Sequence, residues 1–249
     1  MRLLIDIGNT RLKWAVLKEG MLGKQHSFRY QQEYLPDQLF SHWSTLISPA
    51  GVHVASVAGE QITNGLRQWV AIHWGCPVEI LHSEKQCCGV INGYTKPESL
   101  GVDRWAAMVA AFGIIGSSVC VIDSGTAVTF DVINSKGRHL GGVIAPGQDM
   151  MRHALLDSTA RVFIDEPSRA VELLGTDTTS CVLSGGLQAT IGLIERMAQQ
   201  VQHQLDEAAV LVLTGGGADH LIPLLSIPYQ HVENLVLQGV ARIVEERRG

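Results

Sequence analysis

Basic runs are missing from this chain. Lys plus Arg number 19 against 24 Asp plus Glu, a formal net charge of −5. No basic stripe is long enough to grip a phosphate backbone or an anionic lipid surface, so neither nucleic acid nor membrane is expected as a partner. Cysteine is sparse. Cys76, Cys87, Cys88, Cys120 and Cys181 make no C-x-x-C pair and no metal-like Cys/His spacing, and the ten histidines show no ligand pattern. The odd count, with Asp6 standing where a secretory apolar region would run, reads as reduced thiols in a cytoplasmic protein. No Walker A sequence, G-x-G-x-x-G, G-x-S-x-G or H-E-x-x-H occurs, which removes P-loop, Rossmann, nucleophile-elbow and zincin readings. The uncharged stretch from Trp105 to Ile122 is about the shortest length that spans a bilayer. Gly116-Ser117-Ser118 interrupts it and β-branched residues follow, so it predicts a buried helix and then a buried strand.

What is present is apolar and glycine-rich. Apolar residues are 46% and charged residues 17% of 249, enough for a sizeable core in one large domain or two ordinary ones. Glycine, 26 residues, exceeds the usual share of roughly 7% and falls in clusters. The pattern opens with a strand at 2–7, a hairpin signal at Gly8-Asn9 and an alternating strand at 11–17. It continues with a strand at 25–30, a helix at 33–46, a strand at 52–56, an amphipathic helix at 60–73 and a strand at 78–81. A loop at 83–97 and an apolar helix at 101–115 follow. At Val119 the pattern restarts, with strands at 119–122, 128–133 and 138–145, helices at 147–156 and 177–204, a strand at 209–213 and two closing helices. The halves begin alike, which predicts an α/β protein of two similar units, 1–116 and 117–249, facing one another across a cleft.

The matched openings carry the chemistry. Asp6-Ile7-Gly8-Asn9-Thr10 and Asp123-Ser124-Gly125-Thr126-Ala127 each place an acid and a glycine at a strand end. Glycine lets a phosphate approach backbone N–H groups without meeting a Cβ, and the acid can hold a hydrated divalent cation that bridges nucleotide phosphates. Asn9 and Thr10 add donors, and Lys13 reaches back from the next strand. A single such turn reads as an ordinary hairpin; two in matched contexts favour phosphate binding. Thr214-Gly215-Gly216-Gly217 joins a strand to a helix and suits close approach of a base or ribose. Gly101-Val102-Asp103-Arg104 opens the apolar helix and has two readings. Asp103 either complements the helix end, with Arg104 in a salt bridge, or orients a substrate hydroxyl while Arg104 meets a substrate anion. Gly141-Gly142-Val143-Ile144-Ala145-Pro146-Gly147 marks a close backbone approach.

Together these motifs resemble the type III pantothenate kinases of the acetate and sugar kinase/Hsp70/actin superfamily, over nearly the whole chain. Asp6-Ile7-Gly8-Asn9-Thr10-Arg11-Leu12-Lys13 resembles that family's first phosphate motif. Tyr94-x-x-Pro97-x-x-Leu100-Gly101-Val102-Asp103-Arg104 resembles its pantothenate motif, and Asp123 to Asp131 its second phosphate motif. Gly141 to Gly147 is similar to a further signature. One departure stands at Gly175-Thr176-Asp177-Thr178, where the family carries asparagine before the threonine matched by Thr178. The resemblance implies two ribonuclease H-like (actin-like ATPase) halves with mixed sheets flanked by helices. It implies ATP-dependent phosphorylation of the pantothenate primary hydroxyl, with Asp103 as proton acceptor and residues 6–13 with Thr126 around ATP. Tyr94, Gly101, Val102, Asp103, Arg104 and Thr178 would meet pantothenate. Asp6 would hold Mg2+ through the phosphates, and Asp123 a monovalent cation, K+ or NH4+. A homodimer is implied, with Thr178 acting on the neighbouring subunit's substrate. The rival expectations are a Bvg accessory factor-like regulator without kinase activity, a kinase or phosphohydrolase of the same superfamily acting on a sugar, acetate or polyphosphate, and an actin-like filament protein.

Overall fold

The computed structural model describes residues 1–30, 34–158, 173–205 and 207–248. They form two compact units: Met1–Gly116 with Gly137–His139 and Asn234–Gly249, and Ser117–Lys136 with Leu140–Glu233.

The first unit contains β1 (Arg2–Ile7), β2 (Arg11–Lys18), β3 (Met21–Leu22), β4 (His26–Arg29), α1 (Leu35–Trp43), β5 (Val52–Ser56), α2 (Glu60–His73), β6 (Val78–Ile80), β7 (Gln86–Cys87), β8 (Val90–Ile91) and α3 (Val102–Ile115). Its sheet runs β3-β2-β1-β5-β6, with β4 also on β2. β1 is antiparallel to β2 and parallel to β5. The alternation in β1 and β2 sends Leu3, Ile5, Ile7, Leu12 and Trp14 to one face, where Leu35, Leu39 and Trp43 of α1 and Leu66, Trp69 and Val70 of α2 close a core. The stretch 83–97, expected as a loop, holds the β7–β8 ribbon. Each of its strands has two residues, too few for an alternation to show in sequence.

The second unit contains β9 (Val119–Ser124), β10 (Ala127–Ile133), β11 (His139–Pro146), α4 (Gln148–Ser158), α5 (Thr178–Gln204), β12 (Val210–Thr214), α6 (Ala218–Leu221) and β13 (Gln230–His231). Its sheet order is β11-β10-β9-β12-β13. β9 is antiparallel to β10 and parallel to β12, the same plan as in the first unit. Cys120, Ile122, Val128 and Phe130 pack under Leu187, Ile191 and Ile194 of α5. The last helix, α7 (Leu235–Glu246), belongs to the first unit and packs on α3 and on β1, β2 and β5. That second cover explains why β1 is apolar on both faces. α3 is buried from Trp105 to Ala111 and ends at Gly116, whose φ of 68° is the left-handed stop glycine supplies without strain. The predicted helix and strand across 101–122 are therefore α3 and β9. Among the described residues no helix is long and apolar enough to cross a membrane.

Candidate active site

The shared plan puts the two acids at equivalent places. Asp6 is the penultimate residue of β1 and Asp123 the penultimate residue of β9, each on the strand face turned away from its unit's α1–α2 or α5 core. Asp6 pairs in register with Lys13 and Ala55, Asp123 with Thr129 and Thr214. In each turn the glycine N–H donates across the chain reversal, Gly8 to the Arg11 carbonyl at 3.0 Å and Gly125, over one residue fewer, to the Ala127 carbonyl at 3.0 Å.

At the first turn Asp6 is buried, and Lys13 Nζ lies 3.7 Å from its Oδ2. Gly8 and Thr10 are half-buried, and Asn9 and Arg11 are exposed. Ile7 and Leu12 point into the core, so what they bring to the turn is backbone. Tyr30, absent from the sequence reading, donates from its hydroxyl to the Gly8 carbonyl at 2.6 Å. Burial pushes that phenol's pKa up, which keeps it a donor. A contact 22 residues away left no local signal.

At the second turn Asp123 is half-buried and Thr126 exposed. Two glycine segments close on it. Gly215 has φ 97°, and a Cβ there would strike Asp123 Oδ1 and the Ser124 carbonyl. Gly147 donates to the Thr126 carbonyl at 3.0 Å, and a Cβ on it would lie 2.5 Å from the Gly125 and Thr126 carbonyls. Gly215 and Gly147 thus have a shared use: each brings a second backbone against the Asp123–Thr126 turn.

A third group forms at the start of α3. Asp103, half-buried in the first turn, accepts from the Arg104 N–H at 2.7 Å. Gly101 leaves room for that carboxylate, since a Cβ would sit 2.6 Å from its Oδ1. Arg104 is 7% exposed, and its Nη1 donates to the Tyr94 hydroxyl at 2.8 Å. Tyr94 stacks on His139, with centroids 5.8 Å apart. Tyr94, Gly101, Val102, Asp103 and Arg104 are therefore brought together, Val102 by backbone only because its side chain is buried. Asn92 was missed. Its Oδ1 accepts from the Tyr94 N–H and its Nδ2 donates to the Glu84 and Pro97 carbonyls, fixing the Tyr94 loop. Asn92-Gly93 is a turn dipeptide, and that was the available signal.

Thr178 belongs to the second unit and is the exposed first residue of α5. Before it, Asp177 caps the helix, accepting from the Ser180 N–H at 2.8 Å. Aspartate and asparagine are about equal as N-caps, so the departure at Asp177 keeps the helix start intact.

The sequence profile of the type III pantothenate kinases matches residues 2–200. The chain is 36% identical to the type III pantothenate kinase of Nitrosococcus oceani, over 99% of this chain and 94% of that one. It is 34% identical to that of Alcanivorax borkumensis, over the whole of both. Among solved structures it resembles a protein from Campylobacter jejuni described as a Baf family transcriptional activator, with TM-score 0.62 and 21% identity, over 99% of this chain and 98% of that one. It also resembles a protein described as an N-acetylglucosamine kinase from Porphyromonas gingivalis, with TM-score 0.53 and 13% identity over both whole chains. These structural likenesses are of fold alone, that of the actin-like ATPases and sugar kinases.

Proposed function

Because the chain belongs to the type III pantothenate kinase family and is an ATP-dependent pantothenate kinase, we propose that Asp103 takes the proton of the pantothenate primary hydroxyl as that oxygen joins the γ-phosphorus. The products are 4'-phosphopantothenate and ADP, the opening step of coenzyme A synthesis. The observation that carries this assignment is the group at the start of α3, where one helix turn holds a fixed carboxylate beside a buried arginine already bonded to Tyr94. Phosphoryl transfer passes through a loose transition state, so alignment and charge neutralisation do most of the work. An aspartate is too weak a base to ionise an alcohol in advance. It orients the hydroxyl and receives the proton late, as the bond to phosphorus forms.

In this reading the turns at residues 6–13 and at Asp123 to Thr126 serve ATP, and Tyr94, Gly101 to Arg104 and Thr178 serve pantothenate. A divalent ion such as Mg2+ enters with the nucleotide and neutralises phosphate charge, and buried Asp6 is the group to hold its water shell. Asp123 with the Ser124 carbonyl beside it, both pressed by the Gly215 backbone, is an oxygen-only donor set that fits a hard monovalent cation. Such an ion would add positive charge next to the phosphates. The enzyme works as a homodimer, exposed Thr178 serving the neighbouring subunit's substrate, and resides in the cytoplasm. The five cysteines, all free thiols, fit a reducing compartment.

The direct test is mass spectrometry of pantothenate incubated with ATP and enzyme, beside a panel of sugars. Pantothenate alone should gain one phosphate. A regulator without catalysis is the weaker reading, since the acids of both turns and Asp103 are present, and a net charge of −5 with no basic run in the sequence disfavours DNA binding. Two further outcomes are expected. At equal ionic strength the rate in KCl should exceed that in NaCl, and equal rates would remove the cation from Asp123. Arg104→Gln should lower kcat/KM for pantothenate roughly 10–100-fold, the worth of a hydrogen bond to a charged group, with KM for ATP unchanged. An unaltered pantothenate KM would reduce Arg104 to a support for Tyr94.

A further inference from the structure

The β7–β8 hairpin breaks a local rule. Its two-residue turn, Cys88-Gly89, has φ of 50° and 80°, both positive, as a type I′ turn requires. Asparagine or aspartate is the usual residue at the first of these positions, and cysteine gains nothing there from its backbone. The left-handed turn does have one effect: neighbouring side chains, which would point to opposite faces of a straight strand, converge. Cys87 Sγ and Cys88 Sγ lie 3.6 Å apart. A third donor comes from the far end of the chain, with Glu246 Oε2 at 3.8 Å from Cys87 Sγ. The three donor atoms all lie within 4.8 Å of one another.

These spacings match a coordination sphere. Zinc–sulfur bonds of about 2.3 Å and zinc–oxygen bonds of about 2.1 Å at tetrahedral angles place two sulfurs about 3.8 Å apart and a sulfur and an oxygen about 3.6 Å apart. The surroundings agree. Glu246 is the last residue of α7, the end at which the helix dipole favours a cation. Arg247, the neighbouring positive charge, is tied to Glu79 and Glu84. Cys87 is buried, Cys88 half-buried and Glu246 exposed, so the group runs from the interior out to solvent. Cys-Cys adjacency alone carries no such reading in sequence, because the carboxylate stands 159 residues away.

We propose that Cys87, Cys88 and Glu246 form a binding site for one zinc-class divalent cation, three protein donors with the fourth position open to solvent. Binding releases the two thiol protons to solvent, so the ion meets two thiolates and one carboxylate. The site belongs wholly to the first unit and stands independently of the kinase assignment.

The test uses tag-free full-length protein, stripped with a chelator and kept reduced, titrated with Co2+ and then Zn2+. One Co2+ per chain should bind with thiolate-to-cobalt charge-transfer absorption, Zn2+ should displace it, and Zn2+ should raise Tm. Cys88→Asn suits the turn and should fold, yet lose both the absorption and the Zn2+ effect on Tm. Glu246→Gln, at an exposed position, should weaken binding roughly tenfold or more. Absence of the charge-transfer band in the wild type, or its survival in Cys88→Asn, would overturn the site.

Discussion

Asp103→Asn is expected to bind ATP within about twofold of the wild type while kcat falls on the order of a hundredfold or more, the scale on which a general base contributes. The substitution is close to isosteric. An asparagine oxygen can still accept from the Arg104 N–H, as Asp103 Oδ1 does at 2.7 Å, so the first turn of α3 keeps its geometry. Gly101 leaves the same space beneath it. What disappears is an acceptor able to take and keep the hydroxyl proton. The loss should therefore fall on kcat, with an unchanged Tm and an ATP dissociation constant from equilibrium titration near the wild-type value. If Asp103→Asn turned over at close to the normal rate, the carboxylate would be a helix-end charge and the proton acceptor would have to be sought elsewhere. A fall in Tm alongside the lost activity would mean that the variant had damaged α3, and Asp103→Glu would then separate the roles, since it keeps the base and moves it.

Much of this was legible in sequence, and for identifiable reasons. The strands β1, β2 and β5 and the helices α2, α3 and α5 have strong periodicity or continuous apolar runs, and they form where the pattern places them. The two acidic turns were visible as a pair because a strand end, an acid and a glycine recur in the same order. Small elements were not visible: β3, β7, β8 and β13 have two residues each, and their pairing is set by neighbours rather than by their own residues. The supports of the site were hidden for a different reason. Tyr30 reaches Gly8, and His139 reaches Tyr94, only because distant segments fold together. Nor does a linear reading show that α7 packs in the first unit, because its amphipathic pattern states that it covers something and not what.

That helix supplies the second large effect. Gly239→Ala should destabilise the protein by about 2–4 kcal/mol, within the usual range for forced overpacking and its upper tail. On general grounds the sign should be the reverse, since alanine is the better helix former by about 1 kcal/mol. Gly239 is buried in the middle of α7, however, and a Cβ there would land on the Ala106 carbonyl of α3. The obstacle is helix backbone, which has no rotamer to move away, so α3 and α7 must separate or tilt. For a chain of this size the expected fall in Tm is roughly 4–16 °C by thermal melt. Gly192→Ala in α5 is the matched control. That glycine is exposed and has nothing within 4 Å of a Cβ, so the same substitution should hold or raise stability. Ala106 lies one turn after Asp103, and displacing it shifts the carboxylate as well. Gly239→Ala should therefore lose kcat even at temperatures where it stays folded, whereas Gly192→Ala should not. Equal stability of Gly239→Ala and wild type would mean that α3 and α7 do not approach as closely as their backbones indicate.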